Sequence, residues 1–194
     1  MQSDAIYDST ELSYNGSTRS SIADAIIVPD SNPFFCLIST SVACWYDREG
    51  NKTGLIPLLV QREGKLVDAQ TRLLQTYFTS TNHTLLVLGE HLNTSYSTTE
   101  ILGSPPSVSL SLATQVFTTA SSVLVIPYDT KDAYLLSLFA TPLASYLNIP
   151  ILIFDQNDEA IQTVCTQLQT THAYLIGDIS LNLTNVTLMP LTTE

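Results

Sequence analysis

Six acidic residues of this 194-residue chain, Asp30, Glu90, Asp129, Asp132, Asp155 and Asp178, stand at or shortly after the ends of short apolar runs. If those runs are strands of a parallel sheet, the carboxylates lie beyond the carboxyl ends of the strands, where open α/β sheets bind ligands. There they could hold a divalent cation, accept hydrogen bonds from sugar hydroxyls, or exchange protons with a substrate. Asp also forms turns and caps helices, so residue type and position leave those structural duties open for each of them. Tyr128, beside Asp129, adds an aromatic face to the same loop. Tyr46, Tyr134 and Tyr146 fall near predicted helix ends, where they could stack on a sugar ring or fill a core.

Other chemistries find little support. The chain has no Gly-x-Ser-x-Gly elbow and no cysteine with an identifiable histidine partner. Its seven glycines form no phosphate-cradling loop, and its three His and three Cys lack metal-ligand spacing. Glu90 with Asp129 and Asp132 faintly echoes a Toprim-like acidic site, but they fall in different halves of the chain. No cofactor is expected, a divalent cation being the one group the carboxylates could take up; metal ligands are not assigned.

Seven Lys and Arg against 18 Asp and Glu give a net charge of −11. That balance excludes a nucleic-acid-binding surface, which needs clustered cations, and disfavours attachment to anionic membrane. Ser and Thr occupy about a quarter of the chain, whereas charged residues make up 13%. Six of the nine asparagines, Asn15, Asn51, Asn82, Asn93, Asn182 and Asn185, stand in Asn-x-Ser/Thr triplets, where roughly two would arise by chance. A hydroxyl-rich, sequon-rich chain points to a glycosylated surface protein. Met1-Gln2-Ser3-Asp4 has no basic start or apolar core, and no apolar run has transmembrane length, so the chain reads as a mature portion or piece of a longer protein. Cys36 and Cys44 lie eight apart on one predicted helix, about 12 Å along its axis, so they cannot bond to each other while it is intact; either could pair with Cys165, but buried free thiols are expected.

The elements that must position these groups are clearest from Ser121 to Leu183. Val123–Ile126, Ile149–Phe154 and Ala173–Ile176 are runs suited to strands buried on both faces. Between them Leu135, Leu138, Phe139, Leu143 and Tyr146 recur at helical spacing, as do Ile161, Val164, Cys165 and Leu168. Thr130 and Asn157 are the predicted caps, and Thr141-Pro142 predicts a kink or restart in the first helix. The strand–helix–strand–helix–strand order argues for βαβ crossovers in one sheet.

The first half repeats this order. Ala25–Val28, the helical Phe34–Tyr46, a polar turn over Asp47–Thr53, Leu55–Val60, the helical Leu66–Phe78 and Thr84–Gly89 follow at an offset of roughly 90–98 residues. Both halves keep an Ile-Pro before the second strand, a closing glycine, a following sequon (Asn93, Asn182), and a histidine before the third strand (His83, His172). The fold class is therefore α/β, with two tandem Rossmann-like modules, each a short parallel sheet flanked by helices. The predicted divisions are an N-terminal arm over 1–20, a first module over 21–102 and a second over 103–194, linked by a helix near Val108–Thr119.

Asp132-Ala133, Thr141-Pro142-Leu143-Ala144, Asn148-Ile149-Pro150-Ile151-Leu152-Ile153 and Tyr174-Leu175-Ile176-Gly177, in that order and spacing, resemble one unit of the second type of cell-wall-binding repeat. The likeness covers roughly residues 103–190 and departs from that family's opening Gly-x-x-Arg-x-x-Thr-Ala pattern, because Gly103-Ser104-Pro105-Pro106 leads on without the arginine. The resemblance implies a noncatalytic, extracellular surface or S-layer-associated module of a bacterial or archaeal envelope. Such a module binds a cell-envelope polysaccharide or assembles with sister repeats, and oligomers are compatible with it. The ligand-binding candidates are then Asp129, Asp132, Tyr128, Asp155, Asp178 and Asp30. The competing expectation is an intracellular α/β enzyme with a carboxylate-and-divalent-cation site.

Overall fold

The computed structural model describes residues 17–20, 23–47, 52–78, 83–128 and 131–191. In chain order these form β1 (Thr18–Arg19), β2 (Ala25–Pro29), α1 (Phe34–Ala43), β3 (Cys44–Tyr46), β4 (Lys52–Leu55), β5 (Leu58–Gln61), α2 (Asp68–Tyr77), β6 (Thr84–Gly89) and β7 (Ser97–Leu102). There follow α3 (Pro105–Val116), β8 (Phe117–Thr119), β9 (Ser122–Pro127), α4 (Lys131–Leu147), β10 (Ile151–Phe154), α5 (Asp158–Gln167), β11 (His172–Ile176) and β12 (Thr187–Leu191).

Two separate four-stranded sheets result, in the orders β5-β2-β6-β7 and β10-β9-β11-β12, with every pairing parallel. The order is the same in both, counted from the start of each module, and helices flank the sheets. This is the α/β architecture of two Rossmann-like modules. Central strands β2 and β9 are apolar and buried along almost their whole length, as strands covered on both faces must be.

Each sheet carries a fourth strand that hydrophobic runs do not reveal. β7 alternates exposed and half-buried residues, and β12 is largely exposed with Pro190 in it, which an edge strand tolerates. Three further expectations need correction. The α1 helix stops at Ala43, and Cys44 opens β3, which pairs antiparallel with β4; a hairpin stands where a plain polar turn and a longer helix were predicted. The hairpin is close-packed: Trp45 lies opposite Gly54, where an added Cβ would run into the indole. Last, α4 runs unbroken through Pro142, with the Thr141 hydroxyl donating to the Leu138 carbonyl that the proline cannot reach (3.3 Å). The Asn157 cap is present, its side chain accepting from the Ala160 amide at 3.1 Å, while Thr130 lies outside the described residues.

The two modules share one core. Ile26, Val28, Leu86 and Leu88 of the first sheet belong to the same buried cluster as Leu124, Ile126, Leu152 and Tyr174 of the second, joined through α1, α3 and α4. A smaller cluster of Ala25, Ile27, Leu59, Leu74, Leu85, Val87 and Leu92 lies on the other face of the first sheet, under α2. The linker helix α3 packs on β6, β7 and α1 of the first module and on β10 and α5 of the second. Its Ser109 hydroxyl accepts the Ile153 amide at 3.0 Å, so the outer edge of β10 is partly closed by a helix.

Helices α1 and α4 lie side by side and run the same way. Phe34 meets Tyr134 near their starts (ring centroids 5.8 Å apart), and Tyr46 meets Tyr146 near their ends (6.1 Å). Beneath those ends β1, part of the predicted arm, pairs antiparallel with β8 and inserts Arg19. The guanidinium stacks between Trp45 and Phe117, 4.3 and 4.6 Å from their ring centres. It donates to Asn148 Oδ1 (2.5 Å), to the Val42 carbonyl (3.4 Å) and to the Ser41 carbonyl. A cation on the last carbonyls of α1 is well placed in the helix dipole. Burial pushes its pKa down to about 10, still charged at neutral pH.

Candidate ligand-binding edge

Because α1 and α4 are parallel crossover helices, the carboxyl ends of both sheets open on the same side of the molecule. In the second sheet, Phe154 pairs with Pro127 and Leu175 with Val125, so Tyr128, Asp155 and Asp178 leave three adjacent strands at one edge. Asp132 joins them from the first turn of α4. Asp132, Asp155 and Asp178 are exposed. Asp129 lies outside the described residues.

Tyr128 is the seam between modules. Its ring packs edge-on against Phe34 at 5.1 Å, and its hydroxyl accepts from Asn32 Nδ2 at 3.3 Å. Asn32 also accepts the Phe34 amide at 3.0 Å, which makes it the working cap of α1 and fixes the loop that meets Tyr128. Tyr128 thus serves packing first, and only the minor, exposed part of its surface is left to a ligand.

Asp30, the first-module candidate, is taken up by Arg62, Nε to Oδ2 2.7 Å. The pairing raises the pKa of Arg62, chiefly through the hydrogen bond to Asp30, but both groups are solvent-exposed and such a pair adds little stability. Nearby, Ser31 donates to Glu90 Oε1 at 2.5 Å, and Gln61 Nε2 donates to the Glu90 carbonyl at 2.9 Å. The first-module edge is cross-linked, whereas among the described residues no ion pair holds Asp132, Asp155 or Asp178. Among the described residues, no group of three or more His, Cys, Asp or Glu is placed to hold a metal ion.

Closing glycines shape both edges. Gly89 (φ 77°) and Gly177 (φ 71°) sit in the left-handed region, and each turns the chain close to its crossover helix: a Cβ on Gly89 would meet Phe35 at 2.6 Å, and one on Gly177 would meet Leu136 at 3.3 Å. Four tyrosines had suggested one stacking surface. The structure divides them, Tyr128 and Tyr134 at the carboxyl-end edge and Tyr46 and Tyr146 at the opposite end of the α1–α4 pair.

Of the sequon asparagines, Asn93, Asn182 and Asn185 are exposed, on the loops that follow β6 and β11. Those loops are fastened through backbone groups, leaving the asparagine side chains outward: the Asn93 amide donates to the Gly64 carbonyl (2.9 Å), and the Asn182 amide to Asp158 Oδ2 (3.1 Å). Asn15, Asn51 and Asn82 lie outside the described residues. The cysteines are free thiols, Cys165 buried and Cys36 and Cys44 half-buried.

No protein-family model, curated protein or solved structure matches the chain. Fold and site geometry therefore stand on the chain's own residues. Sequence reasoning missed the apolar groove beside α4, lined by Leu136, Phe139, Leu143, Ile176, Gly177 and Leu191 and enclosing about 450 Å³. The signal was present in the adjacent Leu138-Phe139 of a helix that needs only one apolar face for its own sheet. Among the described residues, no helix is long and apolar enough to cross a membrane.

Proposed function

We propose that the chain is a noncatalytic extracellular module of a cell surface or cell wall, which binds an envelope polysaccharide or assembles with sister repeats. The observation that carries this reading is the outward placement of Asn93, Asn182 and Asn185 on the corresponding loops of the two modules. Glycosylation needs an exposed loop, and a duplicated module that presents its sequons there suits an exported surface. The resemblance to cell-wall-binding repeats supports the same reading. The polymer-facing part is the carboxyl-end edge of the second module, where Asp132, Asp155 and Asp178 could accept sugar hydroxyls directly or through a bridging divalent cation.

Peptide mass spectrometry of the protein isolated from its source tests the exposure argument. Glycan mass on the peptides carrying Asn93 and Asn182 is the expected result. Bare asparagines at all six sequons would remove the support on which the surface assignment rests.

A further inference from the structure

The two modules differ in what covers their first crossover helix. In the first module α3 lies alongside α1 over β6 and β7, its buried Val108, Leu112, Ala113 and Val116 joining the core that this face shares with the second module. The corresponding elements of the second module are α4, β11 and β12. The same position there is the groove of about 450 Å³, walled by Leu136, Phe139 and Leu143 of α4, by Ile176 and Gly177 at the end of β11 with Asp178 just beyond them, and by Leu191 of β12. Nothing among the described residues fills it. Phe139 is 83% exposed at its rim, and Leu135 and Leu138 continue the apolar surface along α4. Apolar side chains at three neighbouring positions of one helix, beside an open apolar groove, mark a docking surface rather than scattered surface leucines.

We infer that this groove receives an apolar helix of the α3 type, presented by a sister α/β repeat rather than by a second copy of this chain, whose own α3 is buried between its modules. The inference deepens the sister-repeat arm of the proposed function and rests on it. The occupant is specified by the internal counterpart: a helix entered through prolines, carrying branched apolar residues at i, i+4 and i+8, and free of charge over its length, as α3 is from Pro105 to Val116. An acidic helix would be repelled by Asp178 in the groove wall, whereas a Ser- and Leu-rich one satisfies its hydroxyls on its own backbone, as Ser109 and Thr114 do in α3. Docking such a helix extends an interface the chain already makes once, helix beside crossover helix over the third and fourth strands of a module.

The test uses a synthetic peptide of residues 104–117 with a hydrocarbon staple joining positions 107 and 111, which keeps the short helix formed and leaves Val108, Leu112 and Val116 free. The peptide is titrated into the isotope-labelled full chain by NMR. Saturable shifts confined to α4, Gly177 and Leu191, weakened at least ten-fold by Phe139→Asp, are expected; Phe139 is exposed enough for that variant to fold. Absence of saturation, or binding that Phe139→Asp leaves unchanged, overturns the inference. So does a chain that sediments as a dimer and becomes monomeric with Phe139→Asp, because a second copy would then be the occupant. No envelope material enters the titration, so its failure is separate from failure of polymer binding.

Discussion

Helices α1 and α4 make the same crossover in the two modules, yet Ile38 of α1 is 1% exposed and Phe139 of α4 is 83% exposed. Both helices have an apolar face for their own sheet and touch each other. The difference lies in the third side: α1 is enclosed by α3 and β10, whereas α4, beside α1 and its own sheet, packs on β3 and leaves Phe139 open. Two copies of one module need not bury the same positions. What lies between modules in the chain decides which copy has an open side, and the open side is where assembly can continue.

If α1 is the centre of a shared core, Ile38→Ala should be the most damaging of the single changes considered, costing about 2–5 kcal/mol by loss of contact and creation of a cavity. Denaturant unfolding should then give coincident transitions for the single Trp45 and for the far-ultraviolet helix signal. Separate transitions would mean that the two modules do not share one core. Arg19→Ala comes next, at about 2–3 kcal/mol, because it removes two aromatic stacks and strands the carbonyls of Ser41 and Val42. Arg19→Lys should restore only part of this, since an ammonium lacks the planar fork that stacks and donates at once. Ser109→Ala should cost about 1–2 kcal/mol by leaving the buried Ile153 amide without an acceptor.

The smallest effect concerns Cys165 on α5. Burial pushes its thiol up to about 11 from 9.0, against a smaller lowering by the Thr170 hydrogen bond. At pH 8 its thiolate population should be about 100-fold below that of the unfolded chain, so disulfide reagents should label it only on unfolding. The folded state holds this proton longer. Its stabilising contribution is therefore present below pH 9 and is lost as pH rises towards 11. Rapid native labelling of Cys165 at pH 8 would show that α5 does not shield it.

Much of the fold was legible because parallel strands covered on both faces are written as unbroken apolar runs; β2, β6, β9, β10 and β11 are all of this kind. The duplicated Ile-Pro and closing glycine made the repeat readable as well. β7 and β12 were not readable, since an edge strand keeps polar residues such as Ser97, Thr99 and Thr187 outward. Arg19 escaped notice for a different reason: its partners, Trp45, Phe117 and Asn148, are 26 to 129 residues away, and no local pattern records such a meeting. At the site, strand order was enough to bring Tyr128, Asp155 and Asp178 to one edge. It could not show that Asp30 is held by Arg62, because that pairing depends on β5 lying beside β2.

Co-sedimentation of the purified chain with purified cell-envelope material, with and without calcium, bears most directly on the surface-module assignment. The wild-type chain should pellet with the envelope, and the folded Asp129→Asn, Asp132→Asn double variant should be retained several-fold less. A wild-type chain that stays in the supernatant under both conditions while showing divalent-dependent turnover would contradict the assignment and favour the carboxylate-and-cation enzyme.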